Sequence, residues 1–324
     1  MTAEQSTNFK AEVLHRSQIE DAVWDDFIAR SPQAAPYGCA WYLDVVWPDW
    51  QAVVVTEKGR RLAALPFKVS SKYGISYVFN PPFCQYVGLF FGEMAGKNAT
   101  QEFTLKKKLV KAALGALPSA IKVFDVKFAP EFDYPLPFHW AGYELRTRYS
   151  YWLDNQADKQ FIFKNFEERT RTYINKAVKS GLVVTPVESV DAILSLAQKK
   201  GSYAMDTGSL KKLWAALQQQ QTGTALEVRD VEGQLHAGLI YQQFGHKLLH
   251  LFSAYDPALG NQGGMSLAIW RSIESAGPDV HVIDFEGSML EPIEHFFRGF
   301  GTKPVPYLQI KKNAFPKPVR WLMG

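Results

Sequence analysis

The segments Val282-Ile-Asp-Phe-Glu-Gly-Ser288 and Ile293-Glu-His-Phe-Phe-Arg-Gly-Phe-Gly301 bring carboxylates, a hydroxyl, an imidazole and a guanidinium into one short run. An amine must lose a proton before it attacks a carbonyl, so a carboxylate such as Glu286, directly or through water, is a candidate base. Arg298 cannot readily lose its proton and suits holding a carboxylate, a phosphate or a developing oxyanion. Asp284 and Ser288, with Tyr307 of the closing run Val305–Ile310, are expected to touch substrate. The combination matches a small-molecule transferase.

These groups need a framework, and the same run supplies it. It reads as a buried strand, a polar Gly-Ser turn, a short aromatic helix, a Gly-Phe-Gly stop and a last strand. Upstream, Leu251-Phe-Ser-Ala-Tyr-Asp-Pro257 followed by Ala-Leu-Gly-Asn-Gln-Gly-Gly264 reads as a strand entering a Gly-rich loop, with a helix from about Met265. A Gly-rich turn at a helix N-terminus can present backbone N–H groups to phosphate oxygens. Gly260, Asn261, Gln262, Gly263 and Gly264 would therefore seat an anionic carrier. The strand at Ser253 and Tyr255 would polarise the donor carbonyl.

The pattern occurs twice. Glu57-Lys-Gly59 and Val231-Glu-Gly233 each join two apolar runs as a hairpin. A further strand follows each, at Ile75–Phe79 and Lys247–Ala254, then a helix, at 100–117 and 264–276. An acid-ended strand comes next, Val123-Phe-Asp125 and Val282-Ile-Asp284. Aromatic-Gly-aromatic signatures, Trp140-Ala-Gly-Tyr143 and Phe297-Arg-Gly-Phe300, lead into the last strands. The spacings agree if the first copy carries an insertion around Cys84–Thr100. The expected fold class is α/β (α+β), a duplicated unit with domains 1–156 and 157–324 meeting at the polar break near Asn155–Gln160. Beyond that break, the periodicity of Phe161–Ser180 predicts one helix, with Arg171 and Lys176 off its apolar stripe.

Bulk properties agree with two domains, since 324 residues exceed one average core. A net charge of +4 favours anionic partners such as phosphorylated cofactors, without the concentrated basic face that nucleic-acid binding usually needs. Cys39 and Cys84 have no metal spacing, and neither do His236, His246 and His250, so no metal is assigned. A reducing, cytoplasmic setting is the default. The start MTAEQSTNFK lacks a signal-peptide pattern, and no apolar run reaches the roughly 20 residues of a membrane span, so no integral membrane association is expected.

The order strand, Asp-Pro, Gly-rich loop, helix, acidic strand, Gly-Phe, final strand resembles the GNAT acyltransferase superfamily. That family's phosphate loop reads Gln/Arg-x-x-Gly-x-Gly/Ala. Asn261-Gln-Gly-Gly264 followed by Met265-Ser266 is the nearest match, and it departs at the leading and final positions. The tandem, Fem-like branch is more similar. Its second copy opens with a basic helix like Arg171-Thr-Tyr-Ile-Asn-Lys176-Ala-Val-Lys179-Ser-Gly181 and closes with an acidic strand, Gly and Phe-Lys/Arg-x-x-Phe. Asp284-Phe-Glu-Gly287 and Phe297-Arg298-Gly-Phe300 match that ending.

The resemblance implies two tandem GNAT-like domains, each a mixed, mostly antiparallel sheet flanked by helices. It implies transfer of an acyl (acetyl) or aminoacyl group to the amine of a small molecule or peptide. The donor would be acyl-CoA or aminoacyl-tRNA, and for tRNA the basic helix with Arg171 and Lys176 would contact phosphates. Counting four residues back from Gly299, where ordinary GNAT enzymes often place an acid tyrosine, gives His295.

Several of these assignments have a structural alternative. His295 also reads as a solvated helix residue, Glu286 as a strand-end carboxylate and Ser288 as a helix N-cap. Asp284 also suits backbone amides, and Tyr255 also suits closing a strand. A degenerate GNAT pair that binds ligand without catalysis is the non-enzymatic alternative.

Overall fold

The computed structural model describes residues 9–94, 98–199 and 206–315. Contacts gather them into two compact units. One holds the described residues up to Arg148 with those from Pro306 onward, and the other is Tyr149–Val305.

The first unit starts with β1 (Lys10–His15), α1 (Asp21–Ala29) and α2 (Ala40–Val46), then β2 (Gln51–Glu57), β3 (Arg60–Phe67), β4 (Ser70–Lys72) and β5 (Ile75–Phe79). It continues with β6 (Phe90–Phe91), α3 (Ala99–Ala116), β7 (Val123–Phe128), α4 (Leu136–Trp140) and the start of β8 (Glu144–Asp154). The second unit carries α5 (Lys159–Lys164), α6 (Glu168–Lys179), β9 (Val183–Val187), α7 (Asp191–Lys199), α8 (Thr207–Gln219) and β10 (Gly223–Arg229). Then come β11 (Leu235–Phe244), β12 (Lys247–Tyr255), α9 (Gly264–Ser275), β13 (Val282–Asp284), α10 (Glu291–Arg298) and the start of β14 (Lys303–Asn313).

Within the second unit the strand order is β8-β13-β12-β11-β10-β9, antiparallel except for the parallel pair β12–β13. In the first unit β1-β2-β3-β6 form an antiparallel sheet. A second run there, β4-β5-β7-β14, is antiparallel except for β5–β7. The fold is therefore the mixed, mostly antiparallel, helix-flanked duplicate expected from the sequence. Both hairpins turn at a left-handed glycine, Gly59 (φ 80°) and Gly233 (φ 82°).

The insertion in the first copy changes its sheet. In the second unit β12 follows β11 and pairs with it. In the first unit β6, which comes from the insertion, takes the edge of β3 instead.

The predicted helix over Phe161–Ser180 is two helices, a correction to the periodicity argument. The chain breaks at Asn165–Glu167, where the Glu167 N–H donates to the Gly299 carbonyl at 2.8 Å. The Arg171 guanidinium takes up the carbonyls of Lys164 (2.7 Å) and Phe166, which the break leaves over.

The second core centres on α9, which packs against α6, β10 and β11 and buries Leu267, Ala268, Ile269, Trp270 and Ile273. Phe300, fully buried, closes it from the Gly-Phe-Gly stop against Phe166 at 5.3 Å between ring centroids. In the first unit the N-terminal aromatics are core: Trp24 and Trp50 are fully buried and 5.0 Å apart. Tyr73 and Phe79 are exposed.

Candidate active site

Strand β12 defines the candidate site. It pairs with β13 only from Lys247 to Leu249, then runs on to Tyr255 with β11 on its other side. Beyond Leu249 no described strand pairs with the edge that β13 has left. The chain after β13 turns the other way, since the Phe285 N–H donates to the Tyr151 carbonyl of β8 at 2.9 Å. A bulge at Leu251, the residue skipped between the pairs Tyr241–His250 and Ile240–Phe252, redirects the strand where this gap opens. Ser253 lies exposed and Tyr255 half-buried along this part of β12.

The loop beyond β12 is built by packing. Asp256 accepts the Ala258 N–H at 3.0 Å and starts a 3-10 turn, Pro257–Gln262. A Cβ on Gly260 would meet the Tyr255 ring at 3.2 Å. A Cβ on Gly263, at φ 81°, would lie 2.2 Å from the Tyr173 carbonyl oxygen of α6. A Cβ on Gly264 would meet the His236 Cβ at 3.0 Å. Lys176 Nζ donates to the Asn261 carbonyl at 3.0 Å, so α6 grips the loop at two places. Asn261 is exposed and Gln262 half-buried. Gly263 occupies the N-cap of α9 and provides no side-chain bond to its amides, and the first N–H to return to it is that of Leu267 (2.9 Å). The first turn of α9 thus keeps donors and a positive dipole end for an anion.

The matching place in the first unit is closed. Helix α3 is capped by Asn98, whose side chain accepts the Gln101 N–H at 2.9 Å, and Gln101 answers in a capping box. The strand β5 ends at Phe79 together with its β7 pairing. Residues that follow β5 then line β7: Asn80 Oδ1 accepts the Lys127 N–H at 2.7 Å and the Val87 N–H reaches the Lys127 carbonyl at 2.9 Å.

Around β13 the predicted side chains fall into two groups. Asp284 is fully buried, and its carboxylate accepts the Ser150 hydroxyl at 2.5 Å and the Glu286 N–H at 2.8 Å. Glu286 has φ 54°, a left-handed backbone rarely adopted by a residue with a side chain. Asp284 holds that conformation by its amide, leaving the Glu286 side chain half-buried at the end of β13. Ser288 Oγ accepts the Leu290 N–H at 3.1 Å, shaping the turn before α10. The N-cap of α10 is Leu290, so Ser288 stands two residues before that cap.

The second group is on α10. Arg298 Nη2 donates to His295 Nδ1 at 2.9 Å, and both residues are exposed. Glu167 (3.6 Å) and Glu294 (3.7 Å) also flank Arg298, so its charge is already shared. Arg171 is committed to backbone carbonyls, as described above. Tyr307 belongs to the first unit, is buried, and bonds the Gln85 amide N–H at 2.9 Å.

Two residues of the site escape sequence reasoning. Ser150 is the buried partner of Asp284, and its signal is a lone small polar residue amid the aromatics of Tyr149-Ser-Tyr-Trp152. Tyr151, on the same strand, directs its hydroxyl to the Ser288 carbonyl at 3.4 Å. Burial, then Glu294 and Tyr149, pushes that phenol above its ordinary range. His250, fully buried in β12, is pushed down to about 3 by burial alone. Ser272 Oγ gives its proton to the Ile269 carbonyl, so His250 Nε2 donates to Oγ at 3.0 Å. Among the described residues no cluster of His, Cys, Asp and Glu could hold a metal, and no helix is long and apolar enough to cross a membrane. A shallow cavity of about 480 Å³ lined by Tyr241, Arg271, Glu274 and Ser275, among others, includes none of the predicted residues.

The architecture is that of tandem GNAT-fold proteins. No family model matches the sequence, and no curated protein matches it. Among solved structures the chain is similar to FemX, with a TM-score of 0.65 at 12% identity over 96% of this chain and 99% of that one. It is also similar to a tandem GNAT protein from the clavulanic acid biosynthesis pathway (0.55, 13% identity, 96% and 100% covered). A third likeness is to L-PGS from Bacillus licheniformis (0.50, 10% identity, 94% and 95% covered). The chain thus has the tandem GNAT fold.

Proposed function

We propose that this protein is a transferase that moves an acyl or aminoacyl group from a carrier to an amine, at the second unit. The observation carrying this reading is that, among the described residues, no strand pairs with the β13-side edge of β12 beyond Leu249, and that β12 leads through the Pro257–Gln262 turn to an α9 N-terminus with no side-chain cap. A carrier's anionic part would rest on the amides around Gly263 and Gly264, and its carbonyl would lie along Ser253–Tyr255. Glu286, set by Asp284 at the end of the neighbouring strand, would take the proton of the incoming amine. The new C–N bond forms as the carrier's C–S or C–O bond breaks, and the departing thiolate or alkoxide gains a proton from His295 or from solvent. Arg298 would hold an anionic group of the acceptor. Proximity and oriented dipoles suffice for this step.

The donor is acyl-CoA or aminoacyl-tRNA, and the setting is cytoplasmic. The Fem-like resemblance of the Arg171–Gly181 helix and the Phe297–Phe300 ending favours the aminoacyl form, and the wider GNAT resemblance favours the thioester form. The test is turnover against affinity. Glu286→Gln should abolish amide formation from acetyl-CoA or aminoacyl-tRNA while the donor Kd stays within about twofold, because the base acts only in the chemical step. If the wild type binds donor yet forms no amide with any amine, it is a binding module. If neither donor binds, transfer is ruled out.

A further inference from the structure

Arg61 belongs to the first unit. Strand β3 bulges at Leu62, the residue skipped between the pairs Val55–Ala63 and Thr56–Arg61. The bulge turns Arg61 back over α1. Its guanidinium carbon lies 5.2 Å from the Trp24 ring centre and 5.3 Å from that of Phe27. Gly92 makes this possible, since a Cβ there would stand 3.1 Å from the Arg61 carbonyl and 3.2 Å from the Phe27 ring.

Arg61 lacks a counter-charge among the described residues, and burial lowers its pKa. Arg16, Arg30, Arg146, Arg229, Arg271 and Arg298 all lie against carboxylates. Arg60, its neighbour, donates to the Glu93 carbonyl at 3.0 Å. Arg61 has neither kind of partner among the described residues, and its Nη1 is buried with no acceptor. Burial alone pushes its pKa down, with no acidic group acting to raise it. Two aromatic faces compensate a desolvated cation only in part, and N–H groups left without acceptors are costly. Such a group is stabilised most by an incoming anion that replaces lost water.

We propose that Arg61, held over the buried Trp24 ring, forms with Phe27 a receptor for an apolar monocarboxylate. A single uncompensated positive charge matches one negative charge, and the planar guanidinium matches a carboxylate edge to edge. The apolar body would lie over Phe27 and Val23, which share a face of α1 four residues apart, with Val23 52% exposed.

The test is ¹H–¹⁵N NMR of the Arg61 Nε–H resonance, assigned by its loss in Arg61→Lys, during titration of the full chain with benzoate, hexanoate and inorganic phosphate. Saturable shifts with the two carboxylates and none with phosphate are expected. Arg61→Gln should weaken binding by about tenfold or more, read as loss of the carboxylate-induced rise in Tm. Without ligand its Tm should equal or exceed the wild type, since an unpaired buried charge has been removed. A saturable shift with phosphate as strong as with benzoate would overturn the carboxylate assignment. Absence of saturation, a Tm rise that survives in Arg61→Gln, or an unliganded Arg61→Gln well below wild type would overturn the site.

Discussion

Gly263→Ala probes the seat of the candidate donor site with a single methyl group. An alanine Cβ would stand 2.2 Å from the carbonyl oxygen of Tyr173 and 2.9 Å from its carbon. Both are backbone atoms of α6, so no change of rotamer relieves the contact, and α6 must separate from the first turn of α9. Overpacking of this kind costs about 1–3 kcal/mol. The left-handed backbone, φ 81°, adds about 1 kcal/mol for any residue with a Cβ. The sum is a loss of about 2–4 kcal/mol. Urea denaturation followed by circular dichroism measures it as a lower midpoint at unchanged slope. Gly115, which lies in α3 with open space around its Cβ position, is the control: Gly115→Ala should stabilise by about 0.5–1 kcal/mol. If Gly263→Ala loses less than about 0.5 kcal/mol, α6 is not seated on the loop and the reasoning fails.

Other substitutions test the remaining supports. His250, pushed down to about 3 by burial, stays neutral in the folded protein. Its unfolded counterpart gains a proton below about 6.5, so stability falls as pH drops through that value and continues to fall toward 3. Between pH 7.5 and 5.5 the wild type should lose about 1.4 kcal/mol more than His250→Gln, and equal losses would contradict a neutral buried imidazole. Ser150→Ala strips the buried Asp284 carboxylate of its hydroxyl donor and should cost about 1–3 kcal/mol by thermal or urea melts. An unchanged melt would mean that Asp284 does not depend on Ser150.

Much of the framework was legible because it rests on local rules. The hairpins at Gly59 and Gly233, helices α3 and α9, and strand β13 ending at Asp284 lie within a few residues of their sequence positions, whereas β7 runs past Asp125 to Phe128. Periodicity failed at Asn165–Glu167 because the break is held from afar, by the Gly299 carbonyl and by Arg171. The spacing of the loop glycines suggests phosphate binding, yet Gly263 and Gly260 are also required by contacts with Tyr173 and Tyr255, which spacing alone does not show. Ser150 was invisible for the same reason, since it meets Asp284 across the sheet. Asp284, Glu286 and Ser288 do share one turn, whereas Tyr307 belongs to the other unit and bonds Gln85.

The copies differ most where a donor would enter. Asn98 caps α3, and Asn80 and Val87 bond to Lys127 of β7, whereas α9 has no side-chain cap and the β12–β13 pairing stops at Leu249 among the described residues. The account therefore predicts that the duplicated chain takes one donor. Isothermal titration of the full chain with acetyl-CoA and, separately, aminoacyl-tRNA tests this directly. One molecule of one of these donors per chain, with binding lost in Gly263→Ala and kept in Asn98→Ala, is the predicted result. Two donors per chain, or binding indifferent to Gly263→Ala, would contradict it.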